Sequence, residues 1–113
     1  MLHCITKNMQ HHNKSVKINN FEINNLNPFI LIAGPCAIES KDHAFDMASR
    51  IKEICLELEI NFIYKSSFDK ANRTSIASSR GVGIEEGLKI LELIKKKLSI
   101  NTITDVHEKE QCQ

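Results

Sequence analysis

Three short apolar runs opening at Phe29, Asn61 and Asn101 alternate with two long segments of helical period. Phe29-Ile30-Leu31-Ile32-Ala33 is continuously apolar, the pattern of a strand buried on both faces, and it stops at Gly34-Pro35. Asn61-Phe62-Ile63-Tyr64 and Asn101-Thr102-Ile103-Thr104 are rich in β-branched and aromatic residues and equally short. Between the first two runs, Ser40 is an N-cap candidate, and Ala44, Met47/Ala48, Ile51, Ile54/Cys55 and Leu58 recur every three or four residues. Between the second and third, Ile84, Leu88, Leu91, Ile94 and Leu98 do the same. Lys95-Lys96-Lys97 falls in the last turn of that helix, where cations suit the dipole better than they suggest a binding patch. A strand–helix–strand–helix–strand order with connections of this length predicts parallel βαβ units.

Such a set does not cover a two-faced parallel sheet, whereas a closed barrel of eight βα units takes roughly 250 residues. The expected fold class is therefore α/β: a β-hairpin followed by the first βαβαβ portion of a (β/α)8 barrel, incomplete after the third strand. The hairpin is predicted over Ser15–Asn25, where Val16, Ile18, Phe21 and Ile23 flank Asn19-Asn20. Residues 1–14 have no apolar period and read as a flexible tail, leaving residues 15–113 as the barrel portion. Glu108 to Gln113 reads as the opening turns of a third helix.

Composition narrows the partners. Fifteen basic residues against fourteen acidic ones leave a formal net charge of +1, so no bulk field favours nucleic acid or an anionic membrane. Cys4, Cys36, Cys55 and Cys112 show no CxxC spacing, and neither a disulfide framework nor a zinc ribbon is indicated. The polar first twenty residues carry no apolar signal core, and the run before Cys36 is too short for a lipoprotein signal, so a reduced cytoplasmic setting is expected. His3, Cys4, His11 and His12 are read as part of the tail and not as a metal site.

In a parallel barrel the reactive groups gather at the C-terminal strand ends. All three strand ends here carry them: Gly34-Pro35-Cys36 and Glu39 after the first, Lys65-Ser66-Ser67 through Ser75 after the second, Thr104-Asp105-Val106-His107-Glu108 after the third. In the second loop Lys65, Lys70 and Arg73 combine with the hydroxyls of Ser66, Ser67, Thr74 and Ser75. Point charges, a planar fork and hydroxyl donors suit phosphate and carboxylate oxygens, although a solvated surface loop has the same composition. The polar connection from Phe68 to Gly83 is long for a compact domain, as functional loops tend to be. Cys36 taken alone is either a buried apolar residue or a thiolate ligand. His107 beside Asp105 is a ligand, a base or merely a satisfied polar residue. Gly81-Val82-Gly83 with Gly87 lacks both the GxGxxG spacing and a leading strand, and reads as a loop entering a helix.

Three segments, Leu31–Ser40, Tyr64–Ser75 (YKSSFDKANRTS) and Thr104–Glu108, together resemble the 3-deoxy-D-manno-octulosonate 8-phosphate synthases, with the motifs in family order from about Val16 onward. The related 3-deoxy-arabino-heptulosonate 7-phosphate synthases typically carry a KPRTSP-like segment where this chain has Lys70 to Ser75, which favours arabinose 5-phosphate over erythrose 4-phosphate as acceptor. The resemblance implies a (β/α)8 barrel in a homotetramer that condenses phosphoenolpyruvate with arabinose 5-phosphate in lipopolysaccharide biosynthesis, with the hairpin over the N-terminal end of the barrel. It implies that Lys65 and Lys70 bind phosphoenolpyruvate, that Ser67 binds substrate, that Asn72 contacts the sugar phosphate while Arg73 and Thr74 reach its phosphate from a neighbouring subunit, and that Asp105 lies near the reacting sugar, with Lys70 and Asp105 as the catalytic residues. Cys36 would be one ligand of a divalent metal, since the family divides into metal-dependent enzymes with Cys at this place and metal-independent ones with Asn. Ala77 departs from the family, which usually has His there, and residues 1–14 have no evident counterpart in it. The chain by itself is expected to be inactive; the alternatives are the sister heptulosonate synthase and a non-catalytic remnant that binds phosphorylated ligands.

Overall fold

The computed structural model describes residues 13–70 and 81–112. Its elements, in chain order, are β1 (Val16–Ile18), β2 (Phe21–Ile23), β3 (Ile30–Ala33), α1 (Lys41–Glu57), β4 (Asn61–Lys65), α2 (Ile84–Leu98), β5 (Asn101–Ile103) and a closing 3-10 turn (Lys109–Cys112). β1 and β2 form an antiparallel hairpin in which Val16 faces Ile23 and Ile18 faces Phe21. The turn puts Asn19 at φ 42°, a left-handed conformation that Asn accepts more readily than most residues. Its side-chain amide donates to the Asn101 amide oxygen, bringing the turn to the N-terminal end of β5.

The main sheet is parallel in the order β3-β4-β5. Ile30 pairs with Asn61 and Ala33 with Tyr64; on the other side Ile63 pairs with Asn101 and Lys65 with Ile103. The strand–helix–strand alternation thus produces the parallel crossovers expected of it. Among the described residues this is a mixed α/β arrangement of two sheets and two α-helices.

Alternation of side chains decides where the core lies. Leu31, Ala33, Phe62 and Tyr64 point toward the helices and join Ala44, Ala48 and Cys55 of α1 with Ile90, Leu91 and Ile94 of α2. Fully burying side chains such as Ile38 and Ile94 contributes about 1.5–3 kcal/mol each. α1 starts where Ser40 caps it, its hydroxyl accepting from the His43 backbone N–H at 3.2 Å. α2 ends at Ser99 in the left-handed region, with Lys95, Lys96 and Lys97 in its last turn as the dipole favours. Lys52 Nζ donates to the Leu98 carbonyl at 2.8 Å, tying the two helices together.

Two expectations need correction. The first strand of the sheet is not buried on both faces: its residues are half-buried and Ile32 is 48% exposed. The helices cover one face only, and β3 lies at the edge of the sheet. The helical stripes are narrower than their apolar residues suggest, because Ile54, Leu58 and Leu88 face outward. The residues fully buried are one strip of each helix: Ala44, Ala48 and Cys55 on α1, and Gly87, Ile90, Leu91 and Ile94 on α2. The long polar connection is anchored at its start, since Phe68 is only 2% exposed. Gly87 makes the room, for a Cβ there would lie 2.5 Å from the Phe68 Cβ.

Candidate functional site at the strand ends

The three C-terminal strand ends are laced together by backbone and hydroxyl groups. Beyond β3 and β4 the chain continues side by side, with Ala37 bridged to Ser67 and the Ile38 N–H donating to the Ser67 carbonyl at 2.9 Å. Gly34 permits this approach, because a Cβ at that position would sit 1.9 Å from the Lys65 carbonyl oxygen. Ser66, fully buried, donates its hydroxyl to the Pro35 carbonyl at 2.7 Å and its N–H to the Ile103 carbonyl at 3.4 Å. Rigid strand ends therefore present the side chains that follow them.

Ser67, Lys65, Lys70 and Asp105 meet on this rim. The Ser67 hydroxyl donates to Asp105 Oδ1 and accepts from Lys70 Nζ at 2.8 Å. Lys65 Nζ lies 3.7 Å from the same Asp105 oxygen, and His107 Nε2 lies 3.7 Å from Oδ2. Burial pushes the Asp105 carboxyl upward, but the Ser67 hydrogen bond and the charges of Lys65 and Lys70 outweigh it and hold the group below its ordinary value. Asp105 is thus an anion at neutral pH. Two ammoniums against one carboxylate leave these described groups net positive, which suits an anionic ligand.

Sequence reasoning selected all four residues; Lys65, Ser67 and Lys70 are neighbours in sequence, and the fold brings Asp105 to them from the loop after β5. It did not anticipate the buried tie of Ser66, the anchor of Phe68 or the contact of His107 Nε2 with the Asp69 carbonyl at 2.9 Å. An apolar Phe inside an otherwise polar loop was the available signal for the anchor. Asn72, Arg73 and Thr74, the expected sugar-phosphate residues, lie outside the described residues, as do Ala77 and Cys4.

Cys36 stands exposed on the loop after β3. Among the described residues no three His, Cys, Asp or Glu side chains converge where they could hold a metal ion. A selective divalent site needs several ligands in fixed geometry, so these residues do not by themselves make one. The buried Cys55 thiol is pushed above its ordinary value by desolvation and is chemically quiet. No helix among the described residues is long and apolar enough to cross a membrane. The opposite end of the sheet has a cleft between the hairpin turn and the C-terminal ends of the helices, lined by Asn19, Lys52, Lys95 and Asn101 among others. None of the four converging groups lies there.

Comparison with known proteins agrees with the motifs. The chain is 57% identical over 99 residues to the 2-dehydro-3-deoxyphosphooctonate aldolase of Rickettsia felis, an alignment covering 88% of this chain and 36% of that protein. The aldolases of the same name from Bartonella quintana and Brucella anthropi are 52% and 51% identical over 100 residues, with the same coverage. The chain therefore spans about a third of the length of the curated relatives it matches. Residues 8–113 match the family described as DAHP synthetase I, a match that begins within the segment read as a tail. With nearly the whole chain matched and the strand-end residues gathered on one rim, this chain belongs to the DAHP synthetase I family.

Proposed function

We propose that this chain supplies the phosphoenolpyruvate-binding strand ends of an enzyme that condenses phosphoenolpyruvate with arabinose 5-phosphate to 3-deoxy-D-manno-octulosonate 8-phosphate. The observation that carries the proposal is the convergence of Lys65, Ser67, Lys70 and Asp105 on one rim. The name shared by the similar proteins supplies the reaction. The barrel they would share is a (β/α)8 barrel of which β3, β4 and β5 are consecutive strands, assembled as a homotetramer in the cytoplasm.

Phosphoenolpyruvate carries a phosphate and a carboxylate, and the acceptor carries a second phosphate. Bringing them together is chiefly work against charge repulsion. Lys65 and Lys70 offset the charges of phosphoenolpyruvate, while Asn72, Arg73 and Thr74 take the sugar phosphate. Carbon 3 of phosphoenolpyruvate then bonds to the sugar aldehyde carbon, whose oxygen becomes a hydroxyl. Water adds at carbon 2, and inorganic phosphate leaves as the ketone forms. An ionised aspartate is a weak base, so the role of Asp105 is to accept a hydrogen bond from the sugar and to orient Lys65. Cys36 would contribute one thiolate toward a divalent metal, with the other ligands supplied from outside the described residues.

The acceptor is tested by joining residues 1–113 to the remaining length of the Rickettsia felis protein and measuring phosphate release. Arabinose 5-phosphate should support turnover and erythrose 4-phosphate should not. Equal use of both sugars, or use of erythrose 4-phosphate alone, overturns the assignment in favour of the sister reaction. In the same protein Lys70→Ala should lower kcat/KM by about a hundredfold, the order of losing a charge-assisted contact of 2–3 kcal/mol.

A further inference from the structure

We propose that His107 is a positioning residue: its Nε2–H bond to the Asp69 carbonyl holds the loop bearing Lys70 against the Ser67–Asp105 pair. The inference rests on the reading of Lys70 as an anion-binding group. His107 lies in the loop after β5, and its Nε2 is 2.9 Å from the carbonyl oxygen of Asp69, in the loop after β4. A carbonyl only accepts, so this ring nitrogen carries a proton and donates. The same N–H faces Asp105 Oδ2 at 3.7 Å, beyond normal hydrogen-bond length, which places the carbonyl as its main partner.

The ring also meets Phe68 edge-on, with centroids 5.9 Å apart and planes at 63°. Phe68 is a fixed point: it is buried, and its carbonyl accepts from the Gly83 N–H at 3.0 Å. Phe68, Asp69 and Lys70 are consecutive, so a ring that touches the first and bonds the second sets the direction in which the third leaves the backbone. Lys70 Nζ then reaches Ser67 at 2.8 Å. Lys65 needs no such device, because it sits at the end of β4 within the sheet. His107 thus does for a loop lysine what strand pairing does for a strand lysine.

Two substitutions separate the N–H from the ring. His107→Phe keeps an aromatic edge against Phe68 and removes the donor, whereas His107→Gln places an amide N–H near the position of Nε2. Both are made in the joined protein described above and compared with it unaltered by two readouts: the side-chain NMR signal of Lys70, assigned with Lys70→Ala, and phosphoenolpyruvate affinity by calorimetry. In His107→Phe the Lys70 signal should move toward that of the exposed lysines. Its dissociation constant should rise about three- to tenfold, the range expected for losing one positioning hydrogen bond. His107→Gln should keep both close to the unaltered protein. The proposal is overturned if His107→Phe leaves the Lys70 signal in place, or if His107→Gln moves it as far as His107→Phe does. If the unaltered protein does not bind phosphoenolpyruvate, the functional reading of Lys70 fails, while the Lys70 signal still decides whether His107 positions it.

Discussion

Asp105 is surrounded by a hydroxyl donor, two ammonium groups and an imidazole, and each neighbour favours its charged form or tolerates it. Its carboxyl is held below the ordinary value, so the stability it contributes is complete above the unfolded-state value of about 3.9. That contribution is lost only as the pH falls through the lower folded value. Lowering the pH from 7 to 5 should therefore leave Asp105 ionised. An NMR titration of the Asp105 carboxyl should give a midpoint below that of a free aspartate, and Ser67→Ala should move it upward. A midpoint at or above the free value would show that desolvation dominates. The Lys65–Asp105 pair is itself half-exposed, and pairs of that kind add at most about 1 kcal/mol to stability. Its value lies in the field it creates. These side chains could be chosen from the sequence because charged residues at strand ends are legible there. That Ser67 is fully buried and bridges Lys70 to Asp105 was not legible, since Asp105 comes from a loop on another strand end.

The elements themselves follow from local chemistry. Ser40 starts α1 through its side chain, Asn19 turns the hairpin, and apolar residues at helical spacing mark α1 and α2. What periodicity overstates is the width of each buried face, as Ile54, Leu58 and Leu88 show. A helix lying on a sheet touches it along one strip, so apolar residues a quarter-turn away stay exposed. Close approach between elements has its own sequence requirement at Gly34. Gly34→Ala would drive a methyl group into the Lys65 carbonyl and pry apart the ends of β3 and β4. We expect a loss of about 1–3 kcal/mol, the usual cost of overpacking, measured as a lower denaturation midpoint. An unchanged midpoint would mean that the loops after these strands yield without resistance.

For the molecule as a whole, the sheet has a helix-covered face and an open one. Ile32 is 48% exposed and Ile103 45% exposed, while Ile63 between their strands is buried. β3 and β5 are the outer strands of the sheet. Outer strands beside exposed apolar side chains invite pairing with further strands. The 113-residue chain should accordingly associate as its concentration rises, seen by sedimentation velocity. The double substitution Ile32→Lys, Ile103→Lys should shift it toward monomer. A monomer at all concentrations, before any substitution, would overturn that expectation.

Periodicity and turn chemistry by themselves determined the elements of this protein: the hairpin, the βαβαβ order and the helix starts. The strand-end motifs identified which residues carry charge where chemistry occurs. Tertiary structure alone decided how wide the covered strip of each helix is, that Phe68 anchors a polar loop, and that Ser67 and His107 reach another strand end. The physical reason is range. Caps, turns and side-chain period act within a few residues and leave a local trace, whereas burial and bridging hydrogen bonds depend on groups that folding brings in from distant parts of the chain.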